Sequence, residues 1–154
     1  MNLAELIKPE TVFLDLAAGS KKQALEELSK RAAAETGLET RFLFDILVDR
    51  ERLGPTGIGK GIAIPHAKIT ELQKIHSLFI RLEKPIDYEA FDEQPVDLLF
   101  AILVPENSES KHLTLLAQIS RLLRDDDICS RLRQARRPEK LYSILTNTTT
   151  RQAA

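Results

Sequence analysis

The chain has 154 residues, 43% of them apolar and 29% charged, with a formal net charge of −1, the proportions of one globular domain able to bury its own core. The balanced charge excludes a general nucleic-acid binder, which needs a concentrated basic face, and the one cysteine, Cys129, excludes an internal disulfide. The N-terminal residues include Glu5 and no long apolar stretch, and the run from Leu98 to Pro105 is far short of the roughly 20 residues that span a bilayer, so a cytoplasmic protein without membrane insertion is expected.

In chain order, residues 3–7 suit a short helix stopped by Pro9, and Thr11 to Leu16 suits a first strand. Ser20-Lys21-Lys22-Gln23 has the form of a capping box, and Ala24, Leu25, Leu28 and Ala32 follow at helical spacing up to Gly37, a natural stop. Thr40 is the expected cap of a second helix, with Leu43, Ile46 and Leu47 on its apolar face. Arg50 falls on that same face. A glycine-rich loop is expected at 54–61, then strands at 62–65 and 77–82. Val96 to Val104 is almost wholly apolar, the mark of a strand covered on both sides. Asn107, Ser108 and Ser110 offer caps for a helix at 110–124, whose inner stripe is His112, Leu115, Leu116, Ile119, Leu122 and Leu123. Asp125 to Asp127 open a further helix, and Pro138 a last one at 138–145, ahead of a polar, frayed tail at 146–154. The expected architecture is a single α/β domain, 1–154 with its core at 3–145: a central mixed β-sheet flanked by helices on both faces.

The stretch Gly57-Ile58-Gly59-Lys60-Gly61-Ile62-Ala63-Ile64-Pro65-His66 places three alternating glycines before a short strand, with a histidine just past its end. Glycines allow close backbone approach, and a neutral imidazole is a nucleophile that accepts a phosphoryl group on one nitrogen while the other is held. His66 is equally readable as a polar residue ending a strand. His112 stands in the first turn of a helix beyond the most buried strand, placed either to donate to an anion or to face the core and bond a carbonyl. Arg50 precedes His66 by sixteen residues, and its permanent charge suits either a phosphoryl group or the C-terminal dipole of its own helix. Parallel neighbouring strands ending at 65 and 104 would bring both histidines to one sheet edge. His76 reads as a surface residue at a strand start, Arg136 and Arg137 as solvated charges, and Lys60 and Lys68 as flanking lysines open to an anionic partner or simply solvated.

Gly54-Pro55-Thr56-Gly57-Ile58-Gly59-Lys60-Gly61 comes close to a nucleotide-binding P-loop. Gly61 stands where the magnesium-binding hydroxyl belongs, and the order is helix, loop, strand where a P-loop needs strand, loop, helix. The glycine spacing is not that of a Rossmann fold, no Cys/His cluster suggests zinc, and no serine or cysteine sits in a nucleophile elbow.

Arg50 through His66, with Gln94 to Pro105 and Lys111-His112-Leu113, closely resembles the mannitol/fructose-type IIA domains of the bacterial phosphotransferase system, over about Leu3 to Leu145. The form Leu53-Gly54-x-Thr56-Gly57-Ile58-Gly59 is most similar to the nitrogen-regulatory branch of that family. Pro55, Lys60 and Ala67 depart from its commoner residues, which is expected to tune loop stiffness or partner contact. The resemblance implies the mannitol-type IIA fold, phosphorylation of His66, and support of the phosphoryl group by His112 and Arg50. The implied donor is an HPr-like phosphocarrier protein (NPr), itself charged from phosphoenolpyruvate by an Enzyme I homologue. No metal or other cofactor is needed, and the implied targets are regulatory proteins such as sensor kinases or transporters. Transfer between two histidines needs in-line positioning and charge stabilisation, with His66 accessible inside an apolar rim. The alternatives are a sugar-specific IIA component passing phosphate to a permease IIB domain, and a non-catalytic protein-binding module with structural histidines.

Overall fold

A strand without polar alternation is stable only where both its faces and both its edges are covered, and Val96–Val104 lies in such a place. The computed structural model describes residues 2–153, with side chains through Asn147. Its elements are α1 (Leu3–Leu6), a 3-10 turn (Pro9–Thr11), β1 (Val12–Leu16), α2 (Lys21–Thr36), α3 (Thr40–Leu53), β2 (Gly57–Gly59), β3 (Ile62–Ala63), β4 (His66–Lys68), β5 (His76–Ile86), β6 (Val96–Val104), α4 (Glu109–Leu123), α5 (Asp126–Gln134) and α6 (Pro138–Ala153).

The six-stranded sheet runs β1-β5-β6-β3-β2, and β4 continues along β6 beyond β3. β5 pairs antiparallel with β6, whereas β3 and β4 run parallel to it. Alternate residues of β6 feed two cores. Leu98, Phe100, Ile102 and Val104 pack with α1, α4, α5 and α6; Leu99, Ala101 and Leu103 pack with α2 and α3. Each of these buried side chains except Ala101 contributes about 1.5–3 kcal/mol of transfer free energy. The mixed sheet with helices on both faces is therefore the architecture expected from the sequence.

Local signals hold at several ends. Ser20 Oγ accepts from the Gln23 amide at 3.2 Å, and Gly37, at φ +79°, closes α2 by donating to Ala33 O at 2.9 Å. Asp125 accepts from the Asp127 and Ile128 amides, heading α5. Elsewhere the structure differs. Thr40 is already helical, and Glu39 stands at the cap position without a side-chain bond. Ser108 likewise precedes α4 without one. Leu116 is only half-buried. The last helix runs on from 145 to Ala153, and the expected tail falls mostly on residues whose side chains, with all of Ala154, lie outside the described residues.

The glycine segment is a hairpin rather than an open loop. β2 pairs antiparallel with β3 through the two-residue turn Lys60-Gly61. Both turn residues have positive φ, 58° and 81°, as this tight hairpin connection requires. Gly61 answers that backbone demand, which is why no hydroxyl stands there. The strand expected at 62–65 breaks at Ile64-Pro65, since Pro65 has no amide to donate. Pro65 O still accepts from Ile102 N at 3.0 Å, so the register carries through and His66 opens β4 opposite Ile102.

Candidate functional site

His66 is half-buried at the end of the sheet. Its Nδ1 lies 2.7 Å from Ile64 O. A carbonyl can only accept, so Nδ1 carries the ring proton and Nε2 keeps its lone pair. Burial, chiefly, lowers its affinity for a proton; the Ile64 bond opposes this, Arg50 lowers it further, and Glu51 opposes again. The net direction is down from 6.5, leaving a neutral imidazole at neutral pH.

Parallel pairing of β4 with β6 carries His66 toward the start of α4, and the His66 and His112 rings meet edge to face, their centroids 5.2 Å apart. The His112 ring is buried, and its Nε2 is out of solvent with no hydrogen-bond partner. A buried nitrogen in that condition costs about 1–3 kcal/mol. The alternative of a core histidine satisfied through Nε2 by a carbonyl is therefore not what is found. Burial lowers its pKa first, then the neighbouring His66, Lys68 and Arg50, against a smaller rise from Glu109.

Arg50, in the last turn of α3, donates from Nη1 to Gly54 O at 3.0 Å. It thus ties down the chain leaving its helix, and its charge also depresses protonation of both histidines. Among the described residues it has no carboxylate partner. Lys68 shares the His66 face of β4 and pairs with Glu109 of α4 at 3.0 Å, which holds that carboxyl below its usual range. The exposed Leu113 borders His112, and the exposed Leu53 lies one turn beyond Arg50.

Two sequence expectations fail here. Lys60 does not flank His66: Ile62 lies opposite Leu98 while His66 lies opposite Ile102, a separation of about 13 Å along the strand. Lys60 belongs to the other end of the sheet, 3.5 Å from Asp126. His76 is not a surface residue. It is 7% exposed, beneath Glu35 of α2, which also binds Lys8, because β5 starts inside the α2 contact. Burial pushes its pKa down.

The sequence reading also passed over Glu51. Its carboxylate, 6% exposed, accepts from Thr56 N (3.3 Å), Thr56 Oγ1 and Tyr88 OH (3.2 Å), and pairs with Lys21 at 2.7 Å. Burial and Glu51 push the Tyr88 phenol far up, so it stays a donor. A signal existed: an acid in the last turn of a helix opposes the dipole and calls for a reason. Among the described residues no three His, Cys, Asp or Glu side chains group to hold a metal ion, and no helix is long and apolar enough to cross a membrane.

Residues 5–148 match the family model described as phosphoenolpyruvate-dependent sugar phosphotransferase system, EIIA 2. A nitrogen regulatory protein of Bradyrhizobium diazoefficiens is 49% identical over 94% of this chain and 95% of its own length. The crystal structure of nitrogen regulatory protein IIA-Ntr from Neisseria meningitidis superposes with a TM-score of 0.89 at 34% identity, covering 94% of this chain and 99% of that one. The crystal structure of IIA mannitol from Escherichia coli shares the fold, with a TM-score of 0.76 at 21% identity over 90% of this chain and 98% of that one.

Proposed function

Because the chain belongs to the EIIA type 2 family of the phosphoenolpyruvate-dependent phosphotransferase system, and is similar there to nitrogen regulatory proteins, we propose that it accepts a phosphoryl group on His66 and regulates partners by its phosphorylation state. The observation that carries this is the tautomer of His66. Its Nδ1 is committed to Ile64 O, which leaves Nε2 as the nucleophile.

The donor is the phosphohistidine of an HPr-like carrier, NPr, met in the cytoplasm. Nε2 attacks phosphorus in line; the bond to the carrier's nitrogen breaks as the new P–N bond forms, and that electron pair returns to the carrier's imidazole. The proton stays on Nδ1, donated to the Ile64 carbonyl throughout, so no separate base is needed. Arg50 supplies fixed positive charge for the phosphoryl oxygens. His112, with its unpartnered Nε2, supplies a donor to one of them when protonated there. The exposed Leu53 and Leu113, close in sequence to Arg50 and His112, offer apolar surface to a carrier. The phosphorylated form carries about −1.5 to −2 more charge, enough to reject an acidic or apolar partner surface. Targets of the sensor-kinase or transporter kind then read that charge.

Incubation with phosphoenolpyruvate, an Enzyme I homologue and the carrier, followed by intact-mass measurement, tests the reading. One acid-labile phosphoryl adduct is expected, absent in His66→Ala. No adduct from a competent donor overturns it and leaves a binding module. Onward transfer to a sugar-permease IIB domain would instead assign the chain to sugar uptake.

A further inference from the structure

Thr56 and Ile64 stand between the buried Glu51 carboxylate and the ring of His66, and a hydrogen bond joins each residue to the next. Thr56 gives both its amide and its hydroxyl to Glu51. Thr56 O accepts from Ile64 N at 2.9 Å. Ile64 O accepts from His66 Nδ1 at 2.7 Å. At every step the donor lies on the His66 side, so the carboxylate anchors Thr56, Thr56 anchors Ile64, and Ile64 holds the imidazole N–H. Tyr88 and Lys21 meet the same carboxylate from the strand-to-strand connection after β5 and from the start of α2, and so fix its position from outside the relay.

We infer that Glu51 is a positioning residue for His66, which it orients through Thr56 and Ile64 and polarises by its charge from the far end of this relay. The inference rests on the reading of His66 as the phosphoryl acceptor. A negative charge at one end of such a chain strengthens the bonds to Thr56 and adds its own field at the imidazole N–H. At the other end it holds the proton on Nδ1 and leaves Nε2 richer in electrons, the part an orienting carboxylate plays when it bonds a histidine directly. Adjacent residues of one helical turn thereby divide the work. Arg50 presents positive charge to the site and lowers protonation of His66, while Glu51 acts on the same ring in the opposite sense. The other charged or titratable groups around the two rings are His112 and Glu109 from α4 and Lys68 from β4.

The test uses the imidazole nitrogen NMR signals of His66 in the full chain, with Glu51→Gln and Thr56→Ala. The glutamine keeps the size and an acceptor oxygen but removes the charge. Its expected effects are a smaller Nδ1–H tautomer population, a His66 titration moved further down in pH, and phosphoryl acceptance slower by about tenfold, the usual scale for such supporting partners. Thr56→Ala cuts the hydroxyl arm and keeps the backbone links, so its shifts have the same sign and are smaller. It also decides the matter if Glu51→Gln does not fold. A brace with no electronic role lowers the melting temperature of both variants but leaves the nitrogen signals and titration of His66 at their wild-type positions, and that result overturns the inference. The NMR signals need no carrier, so they decide the relay even if the wild type accepts no phosphoryl group.

Discussion

The two ends of the central strand carry the same kind of residue in opposite conditions. At the Val96 end, Arg133 in the last turn of α5 grips Asp97 with bonds of 2.9–3.1 Å and donates to Lys60 O at 2.9 Å. Nearby, Arg81 is buried against Asp15 and the carbonyls that close α5. At the Val104 end, Arg50 in the last turn of α3 holds one carbonyl, and the His112 Nε2 holds nothing. An arginine whose guanidinium is filled by a carboxylate serves the fold. Under the proposed function, one left with spare donors beside two neutral imidazoles keeps its field for the incoming phosphoryl group. The contrast separates stability from chemistry within one sheet.

The largest effect expected is complete: His66→Ala gives no phosphoryl adduct by intact mass, while Arg133→Met gives as much as wild type. Next, Arg50→Met slows phosphoryl acceptance by about 10²–10³-fold, the scale of removing one preorganised charge-stabilising donor, with little change in melting. Arg133→Met does the reverse. It lowers stability by about 1–2 kcal/mol in denaturant unfolding, a modest figure because the pair is partly exposed, and leaves the transfer rate alone. Equal rate losses in the two arginine variants would remove the distinction between the ends. His112→Phe replaces an unpartnered buried nitrogen with apolar carbon, so stability should rise by about 1 kcal/mol while transfer slows about tenfold. A variant that is both slower and less stable would show that the ring serves packing.

The smallest effect expected is in pH. His66, His76 and His112 all have pKa values lowered from 6.5, chiefly by burial. Below pH 6.5 the unfolded chain binds protons that the fold resists, so stability should fall as pH drops through and below that value and level off above it. Melting temperatures between pH 5 and 8 check the slope. His76→Gln should flatten part of it without touching phosphoryl transfer, since that ring lies on the α2 side of the sheet, 3.8 Å from the Glu35 carboxylate.

Much of the scaffold was legible because local chemistry and tertiary need agreed. The apolar run of β6 has nowhere to go but the centre, and the Ser20 and Gly37 caps of α2 act within one turn of chain. Arg50, His66 and His112 were identifiable as residue types in a pattern, and the pairing of β4 with β6 brings the two histidines together. What escaped depends on contacts distant in sequence. The burial of His76 comes from Glu35 and Lys8, residues of α2 and the N-terminal segment. Lys60 looks adjacent to His66 in sequence, yet extended backbone carries it to the opposite end of β6. The importance of Glu51 arises from Lys21, Thr56 and Tyr88, which three separate segments bring to one point.

The pairing of β6 along both edges has a consequence in time. Its amides between Leu98 and Val104 bond to β5 on one side and to β3, β4 and the intervening Pro65 on the other, with cores on both faces. Such amides exchange hydrogen only when the whole molecule opens, whereas the ends of helices exchange through fraying. Because His66 and its neighbours on β4 pair with this strand, the proposed docking face should outlast the local breathing of the helices around it. A partner that binds for milliseconds and one that binds for minutes then meet the same geometry.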